Sequence, residues 1–290
     1  MKKIISLLLI TVCLFSLASC RKDGNNDAST MPPLTDSAQT TSEATTEELT
    51  VTVTFPEGWT VKEIAEKLEE NGVCTAKAFI DIVNNTAYLK TLSYTFFADI
   101  EEVAKRPFIL EGYIFPDTYE FYKDEGAEAA LTRFLDNTEQ KLTAEYRSRA
   151  AETGYTMDEI ITIASIIQEE ASEHQHMPGV SSVLHNRLED EDYGMLQCDV
   201  TIHYINDCVK DSPYISADVD KVTEYYDTYE CYGLPTGPIC NPGIHAIEAA
   251  LNPPVTDYFY FVTDEDWNYY YAETYEEHQV NCENVGIYGR

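Results

Sequence analysis

TMDEIITIASIIQEEA, residues 156–171, contains the clearest helical pattern of the chain. Thr156 followed three residues later by Glu159 forms the pattern of a capping box, which predicts the start of a helix. At about 100° per residue, Thr162, Ser165 and Glu169 fall on one side, which we expect to face solvent. The opposite, apolar face is predicted to be buried and consists of Met157, Ile160, Ile161, Ile163, Ala164, Ile166, Ile167 and Ala171.

Glu170 is the charged residue that falls on the apolar side of this helix. Burial disfavours a carboxylate, so desolvation would raise the pKa of Glu170 and favour the protonated acid. A carboxyl group of this kind is suited to general acid catalysis near neutral pH. The alternative is that Glu170 reaches solvent at the helix end or pairs with a Lys or Arg, since structural ion pairs also perturb carboxylates. The helix alone leaves both interpretations open.

The composition restricts the classes of partner. The 290-residue chain carries a formal net charge of −32, which argues against nucleic acid and against an anionic membrane surface as partners. An uncharged or zwitterionic polymer remains compatible with this charge. The 21 tyrosines weakly favour carbohydrate binding, because tyrosines are also common in strands. We expect no cofactor.

The cysteines do not predict a metal site. None of them forms a C-x-x-C pair, and His174 and His176 lack both an H-E-x-x-H motif and an evident third ligand. Disulfides are possible outside the cell, but the sequence does not determine a pairing. We expect most of the cysteines of the folded region to be free or structural: Cys74, Cys198, Cys208, Cys231, Cys240 and Cys282.

The first 49 residues carry targeting signals rather than a folded domain. Residues 1–19 combine Lys2 and Lys3 with a short apolar run, which is typical of a secretory signal. The run ends Leu-Ala-Ser before Cys20 and resembles the lipobox of bacterial lipoproteins, so Cys20 is the predicted lipid attachment site. An ordinary signal peptide with a coincidental Cys is the alternative. Residues 20–49 are polar and predict a disordered tether that leaves the protein anchored outside the cell membrane.

The remaining residues predict an α+β fold in two parts. Residues 50–108 read as a strand and two short helices, the first of which starts with a capping box of Thr60 and Glu63. This arrangement resembles a small LysM-like subdomain. Such a module binds wall glycan or only packs against its neighbour, and the sequence leaves both open. Residues 109–290 predict a larger mixed α+β domain. Its expected elements are a long helix at 125–154, helices at 156–171, 178–189 and 243–250, a strand or extended loop at 195–204, a stiff loop at 225–241, and a hairpin formed by 258–262 and 269–272.

Ordered motifs along this region resemble the endolytic murein transglycosylase family, also called MltG or YceG-like. Each motif is weak alone, but their order is specific. They are EGY (111–113), FPDTY (115–119), ASIIQEE (164–170), NRL (186–188), LQCDVT (196–201), GLP (233–235) and NPG (241–243). The resemblance implies cleavage of peptidoglycan within glycan strands, by a lyase reaction that leaves 1,6-anhydro-N-acetylmuramoyl ends. It implies that residues 109–290 are the catalytic domain.

The resemblance also places the catalytic acid on Glu170, the residue that the helical wheel singled out. Gln168 stands where the family often has Glu, which argues against a required carboxylate there. Arg187 is a candidate for holding a carboxylate, either of the substrate or of a neighbouring loop. Asp117 and Asp227 are expected to be structural. His278 is expected to be a structural hydrogen-bonding residue, and the alternative is that it lines the cleft. The candidates for gripping sugars, each with an alternative as a turn or cap residue, are Gln197, Asp199, Thr201, Asn186 and Asn241.

Two other functions fit the same motifs. One is a non-catalytic lipoprotein that binds peptidoglycan through the same fold. The other is a hydrolytic muramidase in which Asp199 activates water. The resemblance implies glycan strands as substrate and wall synthases of the penicillin-binding class as possible partners.

Overall fold

The helix that begins after Thr156 starts at the capping box that the sequence predicts. The computed structural model describes residues 49–171, 173–210, 212–215 and 218–287, all of which belong to one unit that spans residues 44–290. The predicted signal peptide and Cys20 lie outside the described residues, as does the tether up to residue 48. None of the described helices is long and apolar enough to cross a membrane.

The N-terminal part places two helices beside a two-stranded antiparallel sheet. Strand β1 (Thr50–Thr54) pairs with strand β2 (Thr118–Tyr122). Between them lie α1 (Val61–Glu70), α2 (Ala76–Val83), α3 (Thr86–Leu89) and a 3-10 turn (Thr95–Ala98). The capping box predicted at Thr60 is present, and Thr75 caps α2 by accepting from the backbone N–H of Ala78. The strand that pairs with β1 therefore lies beyond residue 108.

The predicted long helix at 125–154 is wrong, because the structure has two helices there. Helix α4 (Ala127–Lys141) ends at Leu142, and α5 (Ala144–Thr153) starts behind Thr143. The Thr143 side chain accepts a hydrogen bond from the N–H of Tyr146 and caps α5. The apolar spacing alone does not reveal this break, since it continues through both helices.

The second half surrounds a central helix, α6 (Met157–Glu170), which starts with the predicted capping box. It continues with α7 (Met177–Glu189), α8 (Asp199–Tyr204), a π-helical turn (Ile205–Val209), α9 (Val219–Tyr226) and α10 (Ile244–Leu251). The predicted hairpin is confirmed as β3 (Tyr260–Thr263) paired with β4 (Tyr269–Ala272), although β3 is half-buried rather than buried. Helix α11 (Tyr275–Asn284) closes the described chain. The mixture of helices and short strands confirms the α+β class.

Helix α6 is buried on all sides over most of its length. It packs against α5, α7, α8 and α10, and the expectation that Thr162 and Ser165 face solvent is wrong, because they are 2% and 0% exposed. The Ser165 hydroxyl donates to the carbonyl of Thr162 and accepts from the N–H of Ile239, which satisfies it inside the protein. The polar face of α6 at Thr162 and Ser165 is therefore covered by protein, and Ser165 contacts the loop that contains Ile239.

The segment 195–204 is also not a strand. Residues 199–204 form α8, and Gln197 precedes it with a positive φ of 55°. Gln197, Asp199 and Thr201 consequently do not share one face, and Thr201 is fully buried. The alternating polar and apolar residues of this segment belong to a short helix that is buried on one side.

Phe134 of α4 lies at the centre of an aromatic cluster and is fully buried. Its ring centroid lies 5.1 Å from that of Phe55 and 4.5 Å from that of Tyr119. We expect Phe134→Ala to lower the free energy of unfolding by about 3–5 kcal/mol through lost burial and the cavity left behind. Urea denaturation measures this, with Val255→Ala, at a fully exposed position, as the control. A loss below about 1 kcal/mol would contradict the role of this cluster.

Candidate active site

A cavity of about 460 Å³ opens at the carboxyl end of α6. Glu170 lines it from α6, Arg187 from α7 and Asp199 from α8. Tyr260 of β3 and His278 of α11 complete the opposite wall. The cavity therefore collects side chains from five elements that are distant in the sequence.

Glu170 is held at this cavity by its backbone. It is the last residue of α6, and its carbonyl accepts a hydrogen bond of 2.6 Å from the hydroxyl of Tyr269 on β4. The half-buried side chain lines the cavity. Desolvation, followed by the negative charge of Asp199, raises the pKa of Glu170 to about 7, although a hydrogen bond from Cys198 acts in the opposite direction. A large fraction of Glu170 is therefore protonated at neutral pH and able to donate a proton.

Two of the predicted sugar-binding residues reach the same cavity. Asp199 is exposed at the start of α8, where the helix dipole favours a carboxylate, and accepts a hydrogen bond of 2.7 Å from the hydroxyl of Tyr229. Gln197 is exposed, and its side-chain oxygen accepts a hydrogen bond of 3.1 Å from Arg187. The structure thus brings together Glu170, Gln197 and Asp199.

The other predicted sugar-binding residues have their polar atoms engaged inside the protein. The Thr201 hydroxyl donates to the carbonyl of Cys198 at 2.9 Å. The Asn186 amide donates to the carbonyls of Thr256 and Tyr258 at 2.9 and 2.8 Å. Neither residue lines the cavity. These contacts favour structural roles for Thr201 and Asn186.

Asn241 is fully buried and joins the loop before α10 to the N-terminal part. Its side-chain oxygen accepts from the N–H of Ile114 at 2.8 Å, while its amide donates to the carbonyl of Trp59 and to Glu111. Its backbone N–H also donates to Trp59 at 2.9 Å. This network leaves Asn241 without a surface for a sugar and makes it a connector between chain segments.

Glu111 is a buried carboxyl that the sequence motifs contained but that we did not single out. It accepts hydrogen bonds from the N–H of Val61, the amide of Asn241 and the hydroxyl of Tyr204, at 2.8, 3.0 and 3.2 Å. Burial raises the pKa of Glu111 to about 8 despite these donors, which lower it. The signal that could have revealed this group is a charged residue within an apolar and aromatic run.

Among the described residues, Arg187 contacts carbonyl groups rather than the carboxylate of a neighbouring loop. Its predicted contact with a substrate carboxylate stays a prediction. Its guanidinium donates to the carbonyls of Phe259 and Leu196 at 2.7 and 3.0 Å and lies 5.0 Å from the ring centre of Tyr260. It thereby fixes the strand β3 and the segment before α8 on both sides of the cavity. The His278 ring stacks on Tyr260 at 5.1 Å, and desolvation lowers its pKa. His278 thus lines the cleft, which was the alternative to the structural role expected for it.

Sequence reasoning missed the aromatic wall of the cavity. Tyr229, Tyr260 and Tyr275 line it, and Cys198 lies beside Glu170. The high tyrosine content was the only indication of this wall in the sequence. The three tyrosines come from separate parts of the chain, namely the loop after α9, strand β3 and helix α11. No group of three or more His, Cys, Asp or Glu side chains that could hold a metal ion occurs among the described residues. Within the described residues, no disulfide joins Cys74, Cys198, Cys208, Cys231 or Cys240 to another cysteine.

Comparison with known proteins places this site in a family. The model of the YceG-like family matches residues 28–284. The chain belongs to the YceG-like family. This confirms the family that the ordered motifs predicted, and it covers every residue of the cavity wall named above.

Two relatives of this YceG-like chain are both named endolytic murein transglycosylase. It is 27% identical over 248 residues to the endolytic murein transglycosylase of Streptococcus pneumoniae, covering 81% of this chain and 44% of the relative. It is 30% identical over 220 residues to the endolytic murein transglycosylase of Bacillus subtilis, covering 75% and 56%. The chain thus spans about half the length of these relatives. A crystal structure of a yceG-like protein from Listeria monocytogenes matches with a TM-score of 0.66 and 29% identity, covering 79% of this chain and 74% of that one.

Glu111 predicts a pH dependence of stability. Its folded pKa of about 8 exceeds the ordinary value of 4.5, so the folded state retains a proton that the unfolded state releases. The stabilisation is present below pH about 4.5 and is lost as pH rises through about 8. We expect Glu111→Gln, which resembles the protonated acid, to be less stable or equal at pH 5 and more stable than the wild type at pH 8.5.

Urea denaturation of both proteins between pH 5 and 8.5 measures this difference. The matched control is Glu152→Gln on an exposed position of α5, which is expected to run parallel to the wild type. A difference between Glu111→Gln and the wild type that stays constant across this range would show that Glu111 is already ionised in the folded protein.

Proposed function

We propose that this chain is an endolytic lytic transglycosylase that cleaves the bond between N-acetylmuramic acid and N-acetylglucosamine in peptidoglycan glycan strands. The observation that carries the proposal is Glu170, a half-buried acid with a pKa raised to about 7 that faces a polar and aromatic cavity. Membership of the YceG-like family supports the same reaction, as do the relatives in S. pneumoniae and B. subtilis, which are named endolytic murein transglycosylases.

The proposed reaction uses one carboxyl group twice. Glu170, protonated, donates its proton to the oxygen of the glycosidic bond, and the glucosamine leaves with a 4-hydroxyl group. Positive charge then develops at the anomeric carbon of the muramic acid, where the acetamido group of the same sugar can stabilise it. Glu170, now a carboxylate, removes the proton from the C6 hydroxyl, whose oxygen closes the 1,6-anhydro ring. No water is consumed.

The neighbours of Glu170 fit this double role. Asp199 raises the pKa of Glu170 and so favours the acid form needed first. Cys198 donates toward the carboxylate and favours the basic form needed second. Proton transfer of this kind accelerates reactions by about 10²–10⁴-fold, so the cavity must supply the remainder by positioning the sugar and stabilising charge. Gln197 and the aromatic wall are the proposed sugar contacts.

The N-terminal part and Cys20 have separate roles in the proposed function. We propose that β1, α1, α2 and β2 form a LysM-like module, supported by the pairing of β1 with β2 around the two helices. We also propose that Cys20 is lipidated and that the protein works at the outer face of the cell membrane on strands made by wall synthases. A glycan substrate outside the cell agrees with the secretory signal and the charge of −32.

Glu170→Gln tests the function directly. Glutamine cannot transfer the proton, so we expect formation of 1,6-anhydromuramoyl ends to fall by at least about 10²-fold without a loss of fold. Mass spectrometry of peptidoglycan digested by each protein measures the ends, and Glu152→Gln on α5 is the control that should keep the wild-type rate. Reducing ends instead of anhydro ends would identify a hydrolase, and unchanged strands with the wild type would identify a binding protein.

Asp199→Asn tests how the acid is prepared. Removal of the neighbouring negative charge lowers the pKa of Glu170, so the acid form is lost at lower pH. We expect kcat/KM to decline with rising pH at about 7 in the wild type and at a lower pH in Asp199→Asn. A pH–rate profile of anhydro-end formation measures the shift, with Asp257→Asn at an exposed position as the control. An unshifted pH–rate profile would show that the charge of Asp199 does not raise the pKa of Glu170.

A further inference from the structure

The turn between β3 and β4 carries an exposed tryptophan, Trp267, whose surface is 61% exposed. The chain has two tryptophans, and the other, Trp59, is half-buried. Single exposed apolar side chains are common on protein surfaces, so exposure alone gives Trp267 no role. Two further observations do: the backbone conformation of Trp267 and the position of its turn beside the cavity at the end of α6.

The backbone of Trp267 adopts a conformation that bulky residues avoid. Its φ is 62°, in the left-handed region where glycine is favoured and a large side chain is strained. Asp264 holds the turn in this shape, because its carboxylate accepts from the backbone N–H groups of Asp266 and Asn268 at 3.0 and 2.9 Å. The backbone N–H of Trp267 donates to the carbonyl of Asp264 at 3.1 Å. The turn thus keeps a tryptophan where glycine would be unstrained, and strained residues concentrate at functional sites.

The turn continues one wall of the cavity. Strand β3 lines the cavity as far as its last residue, Thr263, and the turn begins at the next residue. Strand residues advance about 3.3 Å each, so β3 leads the wall about 10 Å from Tyr260 to Thr263. Trp267 does not line the cavity itself. It lies at the rim, where a polymer that leaves the cavity along β3 passes next.

Resting on the proposed function, we propose that Trp267 stacks on a sugar of the glycan strand outside the cavity and thereby favours long strands over short ones. An exposed indole offers a flat apolar face, on which a sugar ring packs while its hydroxyl groups stay in water. The sugar is an N-acetylglucosamine, because the exposed Glu265 and Asp266 beside Trp267 repel the carboxylates of peptides carried by muramic acid. Trp267 contributes binding of the strand and takes no part in breaking the bond.

Trp267→Gly tests this role without threatening the fold. Glycine relieves the strain at this φ, so we expect an unfolding temperature equal to or above that of the wild type. Two substrates are compared, long peptide-free glycan strands and a peptide-free tetrasaccharide of two disaccharide units. We expect the ratio of kcat/KM on long strands to kcat/KM on the tetrasaccharide to fall about fivefold or more. Trp267→Phe keeps an aromatic ring and should restore part of this ratio.

Binding without cleavage is measured by tryptophan fluorescence in Glu170→Gln protein mixed with the long peptide-free strands. We expect the emission to move to shorter wavelength, because stacking removes the indole of Trp267 from water. The same protein with Trp267→Gly retains Trp59 and should lose this shift. The readout depends on contact with the indole and not on the rate of the reaction.

Asp124→Gly is the matched control. Asp124 is exposed, has a φ of 57° and does not line the cavity, so its replacement by glycine should change neither the ratio nor the emission shift. The proposal is overturned by an unchanged ratio in Trp267→Gly, by an equal fall in Asp124→Gly, or by an emission shift that persists without Trp267. A wild type that forms no anhydro ends from either substrate overturns the proposed function instead, and the fluorescence measurement then still decides whether Trp267 contacts glycan.

Discussion

The desolvation of one carboxyl group at the end of a buried helix is the constraint on which the site depends. Helix α6 is surrounded by α5, α7, α8 and α10, so its carboxyl end cannot turn freely toward water. Tyr269 fixes the last carbonyl of this helix, and Glu170 is held where burial disfavours its charge. The carbonyl end of a helix also disfavours a negative charge, which acts in the same direction. Helix α6 determines the position of Glu170, and α7, α8, β3 and α11 form the walls of the cavity around it.

The buried polar groups around α6 are satisfied in two ways that have different consequences. Asp158 near the start of α6 contacts the guanidinium of Arg106 and accepts from the hydroxyl of Tyr113, so its charge has a cationic partner. Glu111 has only neutral donors, and burial therefore raises its pKa. An uncompensated buried carboxyl favours the neutral form, whereas an ion pair favours the charged form. Burial thus raises the pKa of both Glu111 and Glu170, but of these two residues Glu170 is the one that lines the cavity at the end of α6.

Local signals in the sequence were sufficient for the helices that start with a capping box and for placing Glu170 on the side of α6 that lines the cavity. Thr60 and Thr156 mark their helices because a capping box is a local interaction. Side chains whose partners are distant in the sequence were not predictable in this way. Ser165 is polar but buried because Ile239, in a later loop, supplies its partner. The roles of Asn186 and Asn241 likewise depend on backbone groups about 70 to 180 residues away.

The end of α6 also separates two neighbouring carboxyl groups. Consecutive helical residues point about 100° apart, so Glu170 lines the cavity whereas the Glu169 carboxyl group lies beside Gly58, in the turn after β1. A Cβ at Gly58 would lie 2.7 Å from a carboxylate oxygen of Glu169, so this close approach depends on glycine. The last turn of α6 therefore presents one acid to the cavity and directs the other toward the N-terminal part.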